Sequence, residues 1–410
     1  MPGSQTARSL REMEDRVLAQ IDEDAVLAIH AALVRVPSVN PPGDVRDAFA
    51  VVEEATRQAG FDTRSVGDHD LMPNLIATLG NPDGPTLCFN SHYDVVPIGE
   101  RSAWTHEPFG AERSDGRVYG RGAGDAKASV AAQVSAGIAL ARAGVPLKGN
   151  LVLNEVADEE VGGVHGAEYV VREKFFVPDW VIVGEQTLNR VAVGEKGSAG
   201  TEVVVHGRTA HGALPWEGAN AIEAMAEIIV ALRRELWPKL ATRTNEFFHP
   251  SSASVNLMEG GVKANVVPDR AAFYVDRRIV PGEDPEECRA EIERIAKASV
   301  ADMPGIRVEV LQGAMGGQAN VVPVDDPLVQ AMIGANGRLG LSTEPTGFSM
   351  ATDGRFFAAA GYPTIIYGPG DPKTAHIPDE WVGIDEIMEA TRAYAIAAVR
   401  LIGDHDGLEG

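Results

Sequence analysis

At 410 residues, with 44% hydrophobic and 23% charged side chains, the chain is long and apolar enough for a large core and for two domains. A formal charge of −23 excludes nucleic acid as a partner, because phosphate binding needs clustered Lys and Arg, but a locally cationic pocket for an anionic small molecule remains compatible with it. No apolar run reaches the length of a membrane span and no basic leader opens the sequence, so the expectation is a cytoplasmic enzyme with no membrane partner. Residues 9–21 and 23–34 carry apolar side chains at mixed three and four spacing and read as amphipathic helices; Pro41 and Pro42 prevent the second from continuing. A helix over 48–59 ends at Gly60, and strands follow at 75–79 and 86–90 with the turn NPDG between them.

The apolar strand Leu87–Cys88–Phe89 breaks into the polar stretch SHYDVVP, where His92 and Asp94 stand two apart. In extended chain these share a face, so Asp94 can brace one imidazole nitrogen while the other stays free for a metal. The glycine-rich stretch YGRGAGDAKAS (119–129) brings Asp125 to the start of an apolar helix that runs to residue 141. Strand 150–156, the acidic turn ADEEVGG (157–163), helix 166–173, strand 179–183 and GEQT (184–187) follow, and this alternation of strand and helix is the signature of a mostly parallel α/β sheet. Near residue 196 the pattern changes. Strand 201–207, helix 219–236, strands 252–258 and 270–278, helix 284–298 and strand 306–312 have the order of a ferredoxin-like unit. After it come helix 328–337, strand 364–367 and helix 384–402. The expected organisation is thus a catalytic α/β domain in two parts, 1–196 and 316–410, interrupted by an inserted α+β domain over 197–315.

His92, Asp125, Glu159, Glu160, Glu185 and His376 all fall at the carboxyl end of a strand or in the loop after one, where open α/β sheets collect ligands. Two imidazoles and several carboxylates without a thiolate suit zinc, cobalt or manganese at a catalytic centre, and a pair of cations would relieve the crowding of acids. Cys88 and Cys288 have no spacing of a disulfide framework or a zinc knuckle and read as buried free thiols.

SHYDVVP, YGRGAGDAKAS, ADEEVGG, GEQT and AHIPDE (375–380) resemble, in the same order, the motifs of the zinc-dependent aminoacylase, acetylornithine deacetylase, succinyl-diaminopimelate desuccinylase and glutamate carboxypeptidase family, over about residues 36–381. The resemblance implies a parallel-sheet metallopeptidase domain with an inserted lid and dimerisation domain. It also implies a metal pair, most simply zinc, about 3.5 Å apart. Asp125 would bridge the ions, His92 and Glu185 complete one site and Glu160 and His376 the other, with Asp94 orienting His92 and a cis peptide at Asp125–Ala126. Consecutive side chains diverge, so on this reading Glu160 binds metal while Glu159 faces the substrate as general base.

The stretch GRTAHGALPWEGANAI (207–222) resembles the family's lid motif, whose histidine, here His211, reaches the partner subunit's active site in a homodimer and donates to the oxyanion. Asn265 and Arg278 match lid positions that contact substrate. TDGRFF (352–357) resembles the desuccinylase branch, so Arg355 is a candidate carboxylate anchor, and the turn Gly368–Gly370 is a candidate source of N–H donors to an anion. Gln186 departs from the family, which often has proline there, and so does the setting of Ala123–Gly124. His30, His69, His106, His249 and His405 are expected to face solvent, and neither His165 nor His206 is assigned a role.

Three readings of function stand. One is an amidohydrolase that removes an acyl group from an N-acyl amino acid or similar carboxylate-bearing substrate. The second is a dipeptidase or carboxypeptidase, or a hydrolase of an aromatic amine or carbamoyl compound. The third is a silent metal-binding scaffold, which would have no use for Glu159.

Overall fold

The computed structural model describes residues 2–404, and the side chains from residue 9 on except 314 and 315; His405 lies outside the described residues. Two compact units emerge. One comprises the chain up to Gly194, Val321–Phe348 and the chain from Thr352 on; the other comprises Glu195–Asn320 and Ser349–Ala351.

The first unit is built on an eight-stranded sheet in the order Asp62–Val66, Asn74–Gly80, Asn150–Val156, Thr86–His92, Trp180–Val183, Thr364–Ile366, Ala192–Glu195, Thr346–Phe348. Four neighbouring strands at its centre, 150–156, 86–92, 180–183 and 364–366, run parallel. All seven residues of Thr86–His92 are buried, as expected of a strand covered on both faces, and its apolar residues Leu87, Cys88 and Phe89 are consecutive rather than alternating. Toward the edges the sheet turns antiparallel. Helix Lys127–Ala143 is buried on every side from Lys127 to Leu140. Its many Ala, Ser and Gly residues let helices Glu23–Val34 and Ile384–Ile402 pack closely on it.

Several short strands escape detection by periodicity because they are three to five residues long or exposed. Asp62–Val66 is an exposed edge. Trp381–Gly383, Arg117–Tyr119 and Glu112–Ser114 form a small separate sheet, and pairing of Trp381 with Tyr119 sets the segments before 381 and after 119 side by side. No helix among the described residues is long and apolar enough to cross a membrane.

The second unit has the ferredoxin-like sheet, in the order Ser252–Gly260, Arg270–Ile279, Gly197–His206, Arg307–Gly317, with every pairing antiparallel. Val203, Val205, Phe273 and Val275 alternate on one face and pack against Ile228 and Leu232 of helix Ala221–Glu235 and Ile292 and Ile295 of helix Pro285–Ser299. Asn220 and Asp284 cap these helices with their side-chain oxygens.

Glu155 is anomalous within strand Asn150–Val156. It is fully buried, neither carboxylate oxygen meets a donor among the described residues, and burial pushes its pKa well above the ordinary value, with His92 only partly opposing. The folded state therefore keeps this proton to higher pH than the unfolded chain, so the group's penalty is small in acid and grows as pH rises. Glu155→Leu is expected to raise unfolding free energy at pH 8 by about 1–3 kcal/mol, the cost of an unsatisfied buried polar group, and by less at pH 5. Denaturant melts at both pH values check this; equal or lower stability of the variant at pH 8 would contradict it.

Candidate metal centre

Five side chains, one from a strand end and four from separate loops, meet at the carboxyl end of the parallel strands. His92 ends strand Thr86–His92; its Nε2 lies 3.3 Å from Asp125 Oδ1 and 3.5 Å from Glu185 Oε1. On the other side of the same aspartate, His376 Nε2 lies 3.3 Å from Asp125 Oδ2 and 3.1 Å from Glu160 Oε2. Two triads result, His92–Asp125–Glu185 and Asp125–Glu160–His376, and within each the donor atoms lie within 4.8 Å of one another. The Asp125–Ala126 peptide is cis, and His376 has a positive φ of 63°.

Asp94 is wholly buried and holds four neighbours at once. Its Oδ1 is 3.4 Å from His92 Nδ1, whose N–H also points at the Asp94 carbonyl 3.1 Å away. The same carboxylate accepts the backbone N–H groups of Glu159 and Glu160, each at 3.3 Å, and the amide of Asn40 at 2.9 Å. So the brace on His92 also pins the turn Glu159–Val161, leaving Glu159 beside the second triad but a member of neither.

The electrostatics are those of a site that needs cations. Burial pushes Glu160 and Glu185 each up to about 8, against the pull of His376 and His92. Burial by itself would lower His92, but Asp125, Asp94 and Glu185 outweigh it and hold the imidazole well above its ordinary value. His376 is pushed up to about 10 by Asp125 and Glu160. Buried His92 Nε2 and Glu160 Oε1 make no hydrogen bond to any described residue. Two imidazoles and three carboxylates crowd together here, with Glu160 and Glu185 pushed up by burial while His92 and His376 hold Asp125 below the ordinary carboxylate range, and this partly unpartnered set fits divalent cations as the missing charge.

Residues 88–400 match the pattern of peptidase family M20/M25/M40. The chain belongs to this family. As a member of the peptidase M20/M25/M40 family it is a metal-dependent hydrolase acting on amide bonds. Among family relatives, succinyl-diaminopimelate desuccinylase of Caulobacter sp. (strain K31) is 33% identical over 380 residues, covering 90% of this chain and 94% of that protein. The fold is that of a tripeptidase from Staphylococcus aureus (TM-score 0.76, 21% identity, 93% of this chain and 99% of that one). It is also that of the Bacillus subtilis protein YXEP, described as a dinuclear metal-binding peptidase (TM-score 0.68, 17% identity, 92% and 97%).

The other expected site residues divide. In the second unit, His211 and Asn265 are neighbours: Gly212 N–H donates to the Asn265 carbonyl at 2.8 Å, and both residues are exposed. His211 Nδ1 accepts the Ala213 N–H at 3.1 Å, so a neutral imidazole carries its proton on Nε2. Arg278 is half-buried and paired with Asp276 at 2.9 Å. In the first unit, Arg355 spends its fork on the Thr352 and Gly162 carbonyls, 2.8 and 2.9 Å away, and its guanidinium lies over the Phe356 ring. It ties the acidic turn to the TDGR loop rather than standing free as an anchor. Gly368 gives its N–H to Thr187 Oγ1 at 3.1 Å and is buried, as is Gly370, so this turn does not present the open anion cradle expected of it. A Cβ at Gly368 would lie 2.5 Å from the Glu185 carbonyl oxygen; close approach to the Glu185 loop is what glycine provides there.

His30, expected in solvent, is fully buried; its Nε2–H donates to the Ala123 carbonyl at 2.8 Å, just before Asp125. The spacing of Val26, Leu27, His30, Ala31 and Val34 on one helical face carries that signal. Gln186 is buried against Gly124 and Gly370, where a Cβ would come within 2.1 and 2.8 Å of its Nε2. Its Nε2 also donates to Thr374 Oγ1 at 3.4 Å, and the motif GEQT does not show this packing because the partners are distant in sequence.

Proposed function

We propose that the protein is a two-metal amidohydrolase that removes the acyl group of an N-acyl amino acid, with Asp125 shared between the ions, His92 and Glu185 on one, and Glu160 and His376 on the other. The observation that carries this reading is the pair of triads meeting at one carboxylate, with Glu159 beside them and in neither. Zinc suits the thiolate-free donor set, with cobalt and manganese as alternatives. Bound ions supply Lewis acidity to the amide carbonyl and to a water nucleophile.

The chain's residues do the rest. Glu159 takes a proton from the attacking water as it adds to the carbonyl carbon, then delivers that proton to the departing amine nitrogen as the C–N bond breaks. Asp94 holds His92 through Nδ1, so that Nε2 stays turned to Asp125 and Glu185. His211, with its proton on exposed Nε2, has a donor for the oxyanion. Asn265 and Arg278 contact the substrate carboxylate, Arg278 by exchanging Asp276 for it; Arg355 would have to leave two carbonyls to do the same.

The inserted unit serves as lid and dimerisation domain. Strand Ser252–Gly260 lies at the edge of its sheet, with Leu257 and Met258 exposed by 70% and 63%, which suits pairing with a second copy about a two-fold axis. If His211 acts on the partner's site, mixing His211→Ala and Glu159→Ala chains should restore part of the activity through hybrid dimers. Subunit exchange without any recovery would speak against sharing. The two buried free thiols, Cys88 and Cys288, suit the reducing cytoplasm.

The named activity of the Caulobacter relative, a desuccinylase that matches most of the chain, favours an acylated amino acid over a dipeptide. Release of free amine from a panel of N-acetyl and N-succinyl amino acids, set against dipeptides, tests the reading. We expect kcat/KM at least about tenfold higher for an N-acyl amino acid, a difference of about 1.4 kcal/mol in transition-state binding. Preference for dipeptides would replace it with the peptidase reading.

A further inference from the structure

Glu380 lies four residues beyond His376 and is completely buried. Its two oxygens have separate partners. Oε1 accepts the backbone N–H of Gly124 at 3.0 Å and of Asp125 at 3.1 Å. Oε2 meets Arg121 Nη1 at 2.5 Å, in an ion pair sealed from solvent on both sides. The main chain repeats the link, Gly120 N–H donating to the Glu380 carbonyl at 2.9 Å, and Arg121 reaches on to the Pro97 carbonyl at 3.4 Å.

Stability alone does not account for this arrangement. Burying a carboxylate and a guanidinium together is costly, and an apolar pair of similar volume commonly serves a core as well or better. Glu380 also brings another acid close to Asp125, whose charge, after burial, pushes its pKa up. What the carboxylate does provide is geometry. The segment it grips contains Gly120 and Gly122, with φ of 153° and 80°, whose backbones have the freedom of glycine. Asp125 must turn one oxygen to His92 and the other to His376, 3.3 Å from each, and a small rotation of its peptide would lose one of them.

We infer that Glu380 is a positioning residue: it fixes the peptide that carries Asp125 against the loop that carries His376, so that the shared carboxylate serves both triads. The inference rests on the ligand roles proposed above. Outer partners that orient metal ligands are worth 10–100-fold in metal affinity.

The test uses the full-length protein, stripped of metal and titrated with cobalt(II), with affinity read by chelator competition and geometry by visible absorption. Arg121→Met/Glu380→Leu removes both charges together, so that no buried ion is stranded. Its metal-free form should still melt cooperatively, lowered by the two N–H groups that lose their acceptor, while the weaker cobalt site loses about 10–100-fold in affinity and the spectrum changes. Arg121→Met/Glu380→Gln returns an oxygen acceptor to the two N–H groups and should recover affinity to within about threefold of the parent. Parent affinity and spectrum in the leucine variant, or no recovery in the glutamine variant, overturns the inference. If the leucine variant does not fold, Glu380→Asp, which keeps the charge but is one methylene too short to serve both partners, is read by the same criteria. Asp125→Asn is run alongside. Parent affinity there would sink the ligand assignment itself, whereas loss there with parent affinity in the Glu380 variants would sink only the positioning role.

Discussion

Glu159→Gln is expected to lower kcat at least about 100-fold, within the range for an acid/base residue, while leaving metal content and KM close to those of the parent. The reason lies in how the turn is held. Asp94 accepts the N–H groups of both Glu159 and Glu160, so the backbone of the pair is fixed whichever side chain follows it, and the exchange of a carboxylate for an amide should not disturb Glu160. Only the capacity to take and return a proton is lost. Glu159→Asp, which keeps that capacity but shortens its reach, should fall between the two. Metal analysis together with steady-state kinetics checks all three proteins. Full turnover by the glutamine variant, with both ions present, would remove Glu159 from the mechanism.

Asp125→Asn should be the most damaging single change. Asp125 is the one residue common to both triads, with one oxygen toward each, so its neutralisation weakens two sites at once. Hydrolysis should fall on the order of a thousandfold or more, corresponding to the several kcal/mol of charge stabilisation that metal ions contribute. Metal content should drop at both positions. His376→Ala makes the contrast: it removes a donor from one triad and should leave the His92–Asp125–Glu185 site able to hold an ion. Equal metal loss in the two variants would mean that the sites do not fill independently of the second histidine. Parent-like activity of Asp125→Asn would contradict its bridging role.

Much of the fold, and the residues that meet in the candidate metal centre, can be read in the amino-acid sequence, for physical reasons. Central parallel strands are buried on both faces, so the consecutive apolar residues Leu87, Cys88 and Phe89 mark one of them, and the candidate ligand loops begin where such runs break into polar residues. The ferredoxin-like unit is legible because its strands alternate and its helices have capped, amphipathic sequences. What stays hidden depends on partners that pattern cannot supply. Arg355 looks like an anion anchor in sequence, yet two backbone carbonyls and an aromatic ring claim it. The Gly368–Gly370 turn looks like a nest of donors, yet its glycines serve close packing against residues 185–188. Glu380 stands in AHIPDE without a role that its spacing could assign, and the pairing of Trp381 with Tyr119 brings it under Asp125. His30 departs from the expected exposure because the helix it stands on is buried on the face it shares with Val26, Leu27 and Val34.

On the proposed function, two ions sit in the two triads with one carboxylate between them. The most direct measurement is an anomalous difference map from crystals of the metal-reconstituted protein, recorded at the absorption edge of the added ion. Two peaks per chain are expected, one contacted by His92 and Glu185, the other by Glu160 and His376, with Asp125 touching both. A single peak, or peaks elsewhere with these five side chains left unoccupied, would contradict it.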